Sequence, residues 1–90
     1  MPRYLVHRQF ADGLDLPMTA EGAESAARIN ERNMEERVSW VQSFVSTDKN
    51  ITYCIYDGPS PEAIRRAALR NGMPVDRITE VRVLDPYFYY

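Results

Sequence analysis

Residues 3–8 (RYLVHR) alternate with a period of two, which places Tyr4, Val6 and Arg8 on one side of a strand and Leu5, His7 and Gln9 on the other. A stretch from Phe10 to Met18 carries Asp12-Gly13 and Pro17, turn and breaker signals that predict a loop. Helical spacing then takes over. Thr19 is a natural cap, Glu21 and Glu24 sit where the positive end of the helix dipole favours them, and Ala23, Ala27 and Met34, with Ala26 and Ile29 beside them, form a narrow apolar stripe. This helix is expected to run to about Arg37, although Gly22, Asn30 and Asn33 weaken it.

Alternation returns in VSWVQSFVST, residues 38–47, with Val38, Trp40, Gln42 and Phe44 on one side and Val41, Ser43 and Val45 on the other. Asp48-Lys49-Asn50 predicts a hairpin turn into a third strand at residues 51–57 (ITYCIYD). Ser60 as cap and Pro61 at the first helical position open a second helix, in which Ile64, Ala67 and Ala68 face the sheet while Arg65, Arg66 and Arg70 face water. Asn71-Gly72 supplies a left-handed stop. Residues 77–84 (RITEVRVL) read as the last strand, with Ile78, Glu80 and Arg82 on one side and Thr79, Val81 and Val83 on the other, and Asp85-Pro86 ends it.

The order strand, helix, strand, strand, helix, strand predicts a ferredoxin-like α+β domain spanning residues 1–90, a four-stranded antiparallel sheet with both helices on one face. Tyr4, Val6, Val41, Cys54, Val45, Val81 and Val83 are expected under the helices. Leu5, His7, Trp40, Gln42, Phe44, Tyr53, Ile55, Ile78, Glu80 and Arg82 are expected on the other face. That second face is too apolar for water, which predicts a homodimer closed sheet to sheet as a dimeric α/β barrel. The aromatic residues 87–90 (YFYY) are expected to lie across the partner.

Composition narrows the function classes. A net charge of −2 with both signs interspersed gives no clustered basic face for nucleic acid or anionic membrane. The opening MPRYLVHRQF has too short an apolar stretch for a signal peptide, and no segment has the length of a membrane span, so a cytoplasmic protein is expected. Cys54 is the single cysteine, which excludes an internal disulfide and a thiol-rich metal site within one chain.

No phosphate-cradling glycine loop, nucleophile elbow or paired-histidine zinc helix is present, so no organic cofactor is predicted and enzymatic activity stays open. The candidate chemistry is a constellation on the expected open face: His7, Gln42, Tyr53, Glu80 and Arg82. His7, the one histidine, suits acid/base work near neutral pH, metal ligation or a structural hydrogen bond in an interface. Glu80 suits a carboxylate ligand or an ion pair with Arg82, and Gln42 an orienting amide. Cys54 reads as a small core hydrophobe.

Trp40-Val41, Tyr53-Cys54-Ile55-Tyr56, Pro61-Glu62-Ala63-Ile64 and the run from Gly72-Met73-Pro74 through Ile78 to Glu80-Val81 resemble a family of small bacterial proteins of uncharacterised function, one branch of which is nickel-binding or nickel-responsive. The resemblance covers nearly the whole chain. It implies a ferredoxin-like dimer and a divalent metal, nickel above all, as ligand. Relatives commonly carry a glutamate where this chain has His7 and a histidine where it has Gln42.

Three functions follow as expectations. The first is a metal-binding homodimer in which His7 gives an imidazole and Glu80 a carboxylate, a mixed set suited to nickel or zinc. The second is a small-molecule-binding protein or enzyme that uses His7 as acid/base and Arg82 for an anionic group, in a pocket of at least ~300 Å³ walled by Trp40, Phe44 and Tyr53, with Gln42 to orient the ligand. The third is a partner-binding module that uses the aromatic tail.

Overall fold

A computed structural model describes residues 1–14 and 19–89. Strand β1 covers Arg3–Gln9, helix α1 Ala20–Glu35, β2 Ser39–Val45, β3 Ile51–Asp57, α2 Pro61–Arg70 and β4 Arg77–Val81, followed by a 3-10 turn over Pro86–Tyr89. Pro17 and Tyr90 lie outside the described residues. All strand pairs are antiparallel in the order β2-β3-β1-β4, the ferredoxin-like arrangement.

Local chemistry accounts for the element ends. The Thr19 hydroxyl accepts from the Gly22 N–H at 3.2 Å, and the Ser60 hydroxyl accepts from the Ala63 N–H at 3.2 Å, each satisfying a backbone donor that a helix start leaves free. Both helices stop in the same motif. In α2, Gly72 takes φ +65° and Met73 N–H reaches back to Ala68 C=O at 3.0 Å; in α1, Arg37 takes φ 60° and Val38 N–H reaches Asn33 C=O at 2.9 Å.

The core lies between sheet and helices. Tyr4 and Val6 from β1, Cys54 and Tyr56 from β3, Val38 before β2, and Ala63, Ile64 and Ala67 from α2 pack together, with Val75 and Ile78 against them. As expected, Ile64, Ala67 and Ala68 are buried and Arg65, Arg66 and Arg70 are exposed. Glu36 accepts from Arg66 Nε at 2.8 Å and Arg70 Nε at 2.9 Å, tying the end of α1 to α2. The Arg66 hydrogen bond, ahead of the rest, holds the Glu36 carboxyl below its usual range.

Three expectations about faces are overturned. In α1 the buried residues are Gly22 and Asn33, with Ala26 and Ile29 half-buried between them, while Ala23 and Ala27 are exposed and Met34 is 72% exposed. The helix is rotated onto a stripe at 22, 26, 29 and 33, where Asn33 Oδ1 accepts from Asn71 Nδ2 at 3.0 Å while Asn33 Nδ2 and Asn71 Oδ1 are buried with no partner among the described residues.

In β2 the register breaks between Trp40 and Gln42. Trp40 pairs with Tyr56 and Gln42 with the next residue back, Ile55, so Val41 is an extra residue and Trp40 falls on the helix-facing side. Gln42 and Phe44 keep the open face, and Val45, opposite Thr52, keeps the helix side.

In β4 the phase is the reverse of the one expected. Ile78 pairs with Val6 and Glu80 with Tyr4, both under the helices, while Arg77, Thr79 and Val81 pair with His7, Leu5 and Arg3 on the open face. The Asp76 N–H, donated to His7 C=O at 3.0 Å, sets the strand's entry, and a one-residue shift exchanges its faces. Val83 lies beyond the strand and is exposed.

Candidate functional site

The face of the sheet away from the helices is formed by Leu5 and His7 of β1, Gln42 and Phe44 of β2, Tyr53 and Ile55 of β3, and Thr79 and Val81 of β4. Large apolar groups stand open on it: Phe44 is 57% and Tyr53 42% exposed. The alternation that buries Tyr4, Val6, Cys54 and Tyr56 pushes these neighbours to the other side.

His7 sits near the middle of this face. Its ring centroid lies 5.2 Å from that of Tyr53, tilted by 47°, and its Nδ1 lies 3.8 Å from Asp76 Oδ2. That separation is too long for a direct hydrogen bond but short enough for the two groups to share a cation. Asp76 is held there by its own N–H bond to the His7 carbonyl. Leu5, His7, Tyr53, Arg77 and Thr79 line a cleft of about 310 Å³.

Of the residues expected to join His7, Gln42, Phe44 and Tyr53 share its face and three others do not. Glu80 stands beside Tyr4 on the helix side, where its charge adds to burial in raising the Tyr4 phenol pKa. Arg82, just past β4, lines a groove with Met1, Pro2, Arg3, Asp57 and Glu80, and no ion pair joins it to Glu80 among the described residues. Trp40 stands on the helix side, still 39% exposed, its Nε1 donating to Ser43 Oγ at 2.7 Å. Asp76 and Arg77 are the site residues that the sequence reading missed. Their signal was Pro74, which with Asn71-Gly72 fixes where the last strand begins.

The donor types at His7 and Asp76, imidazole and carboxylate, fit a borderline divalent cation such as nickel or zinc. Their number does not suffice within one chain: among the described residues no group of three or more histidine, cysteine, aspartate or glutamate side chains is placed to hold a metal ion. Among the same residues, no helix is long and apolar enough to cross a membrane.

The family model described as "Nickel responsive protein SCO4226-like" matches residues 4–81. The crystal structure of SCO4226 from Streptomyces coelicolor A3(2) is similar in fold, with 24% sequence identity and a TM-score of 0.70 over 92% of this chain and 99% of that one. No curated protein matches the chain.

Proposed function

The chain belongs to the nickel responsive SCO4226-like family, and from that premise we propose that it is a small homodimeric protein that binds a divalent cation, nickel first among them. The observation that carries this reading is the His7–Asp76 pair, 3.8 Å apart on an uncovered apolar sheet face. Apposing two such faces buries Phe44 and Tyr53 and doubles the donor set to two imidazoles and two carboxylates. A cation then has a nitrogen and oxygen set that one chain does not offer.

The test is metal analysis of protein purified without chelator, then calorimetry with Ni²⁺ on wild type and His7→Ala. Expected is binding well below about 1 mM that weakens at least about tenfold in His7→Ala. Binding no tighter than about 1 mM, or unchanged in His7→Ala, overturns the reading. Light scattering on the same samples should give twice the 10.4 kDa chain mass.

A further inference from the structure

Besides the cleft on the open face, a second and partly open cavity lies on the other side of the sheet. Between α1 and the helix-facing strands is a cavity of about 250 Å³. On the α1 side it is lined by Ala26 and Ile29, and the short side chain of Ala26 leaves space above β1, β3 and the inner side of β2. The bulge at Val41 completes it by bringing Trp40 inward, and the bond from Nε1 to Ser43 fixes the indole as a wall. Phe10, Leu14, Ile29 and Val45 make most of the remaining lining apolar.

Two lining groups are out of place in such a chamber. Arg8 is only 3% exposed, and its guanidinium is bonded to two uncharged acceptors, Pro74 C=O at 2.9 Å from Nε and the Tyr56 hydroxyl at 3.2 Å from Nη1. It lies over the Tyr56 ring, 5.5 Å from the centroid. No carboxylate pairs with it among the described residues. A buried cation without a counter-ion is costly, and an arginine with donors to spare is built for a carboxylate. Thr52 is 2% exposed, and its Oγ1 is buried with no hydrogen-bond partner.

We propose that this chamber binds a small monocarboxylate with an aromatic or compact apolar body. The carboxylate sits against Arg8 and accepts from the Thr52 hydroxyl, and the body lies between Trp40, Phe10 and Ile29. Size agrees: a dry cavity of about 150 Å³ admits benzene, so this one has room for a ring and a carboxylate. The site does not share the His7 face, so it stands or falls apart from cation binding.

The probe is sodium phenylacetate, titrated into the full chain in chelator while the fluorescence of Trp40, the one tryptophan, is followed. Phenylacetamide, which keeps the ring without the charge, is the comparison. Expected is saturable binding below about 1 mM, at least about tenfold tighter for the acid than for the amide. Thr52→Val, which keeps shape and removes one hydroxyl, should weaken phenylacetate by about three- to tenfold. Arg8→Gln should abolish the preference for acid over amide. Should Arg8→Gln fail to fold, the acid-to-amide ratio of wild type and the Thr52→Val result decide alone. Equal binding of acid and amide, no saturation by about 10 mM, or unchanged affinity in Thr52→Val overturns the proposal.

Discussion

Glu80 pairs with Tyr4 across β1 and β4, on the helix-covered side of the sheet, whereas His7 points away from the helices. Residues on opposite faces of one sheet cannot ligate one ion. Glu80→Gln should therefore leave nickel affinity within about twofold of wild type, while Asp76→Asn lowers it several-fold. Calorimetry on both variants checks this, and a loss confined to Glu80→Gln would contradict the register.

Phe44, on the edge strand β2, is a wet aromatic on the proposed interface. Phe44→Lys places a charge where two copies would meet, and an unpaired buried charge costs several kcal/mol. The expected result is a monomer of 10.4 kDa by light scattering with unchanged circular dichroism.

Arg37 holds a left-handed φ of 60° at the place where α2 uses Gly72. Arg37→Gly relieves that strain, against the larger chain entropy of glycine in the unfolded state, and should stabilise by about 0.5–1 kcal/mol. In a domain of this size that raises Tm by roughly 2–8 °C in a thermal scan.

Ile64 is 1% exposed and fills the contact between α2 and the sheet. Ile64→Ala should cost about 2–5 kcal/mol, a large part of the stability of a small domain. Urea unfolding should show a lower midpoint with the slope unchanged.

Asp57 takes a hydrogen bond at 2.7 Å from Arg3 Nε, which lowers its carboxyl pKa, as Arg66 lowers that of Glu36. A folded pKa below the unfolded one gives stability that is present above the ordinary carboxylate range, about pH 4, and lost as pH falls through the folded values. Stability should hold from neutral pH to about pH 5 and then fall, more gently in Asp57→Asn. Burial raises the phenols of Tyr4 and Tyr56, so the sign reverses in alkali: that contribution is intact below about pH 10 and lost above it, as tyrosinate absorbance will show.

Element order and helix ends were legible in the sequence because their signals are local. Thr19, Ser60-Pro61 and Asn71-Gly72 each act within four residues, and the alternation of ITYCIYD buries Thr52, Cys54 and Tyr56 as its period demands. The phase of β4 was not legible, since Ile78 on one side and Val81 on the other offer the core similar apolar residues. Asn33 was read as a weak point in a helix because the partner that rewards its burial, Asn71, is 38 residues away. The site suffered most: one reversed strand exchanged Glu80 for Arg77 beside His7.

The extra residue at Val41 works as a switch of reading frame within a single strand. Upstream of it, β2 writes to the interior with Trp40; downstream, the same parity writes to the outside with Gln42 and Phe44. Were β2 regular, with Val41 in an ordinary paired position, residues 40, 42 and 44 would share one face, so that keeping Phe44 outside would turn Trp40 outside as well. The inner chamber would lose its wall although every side chain was retained.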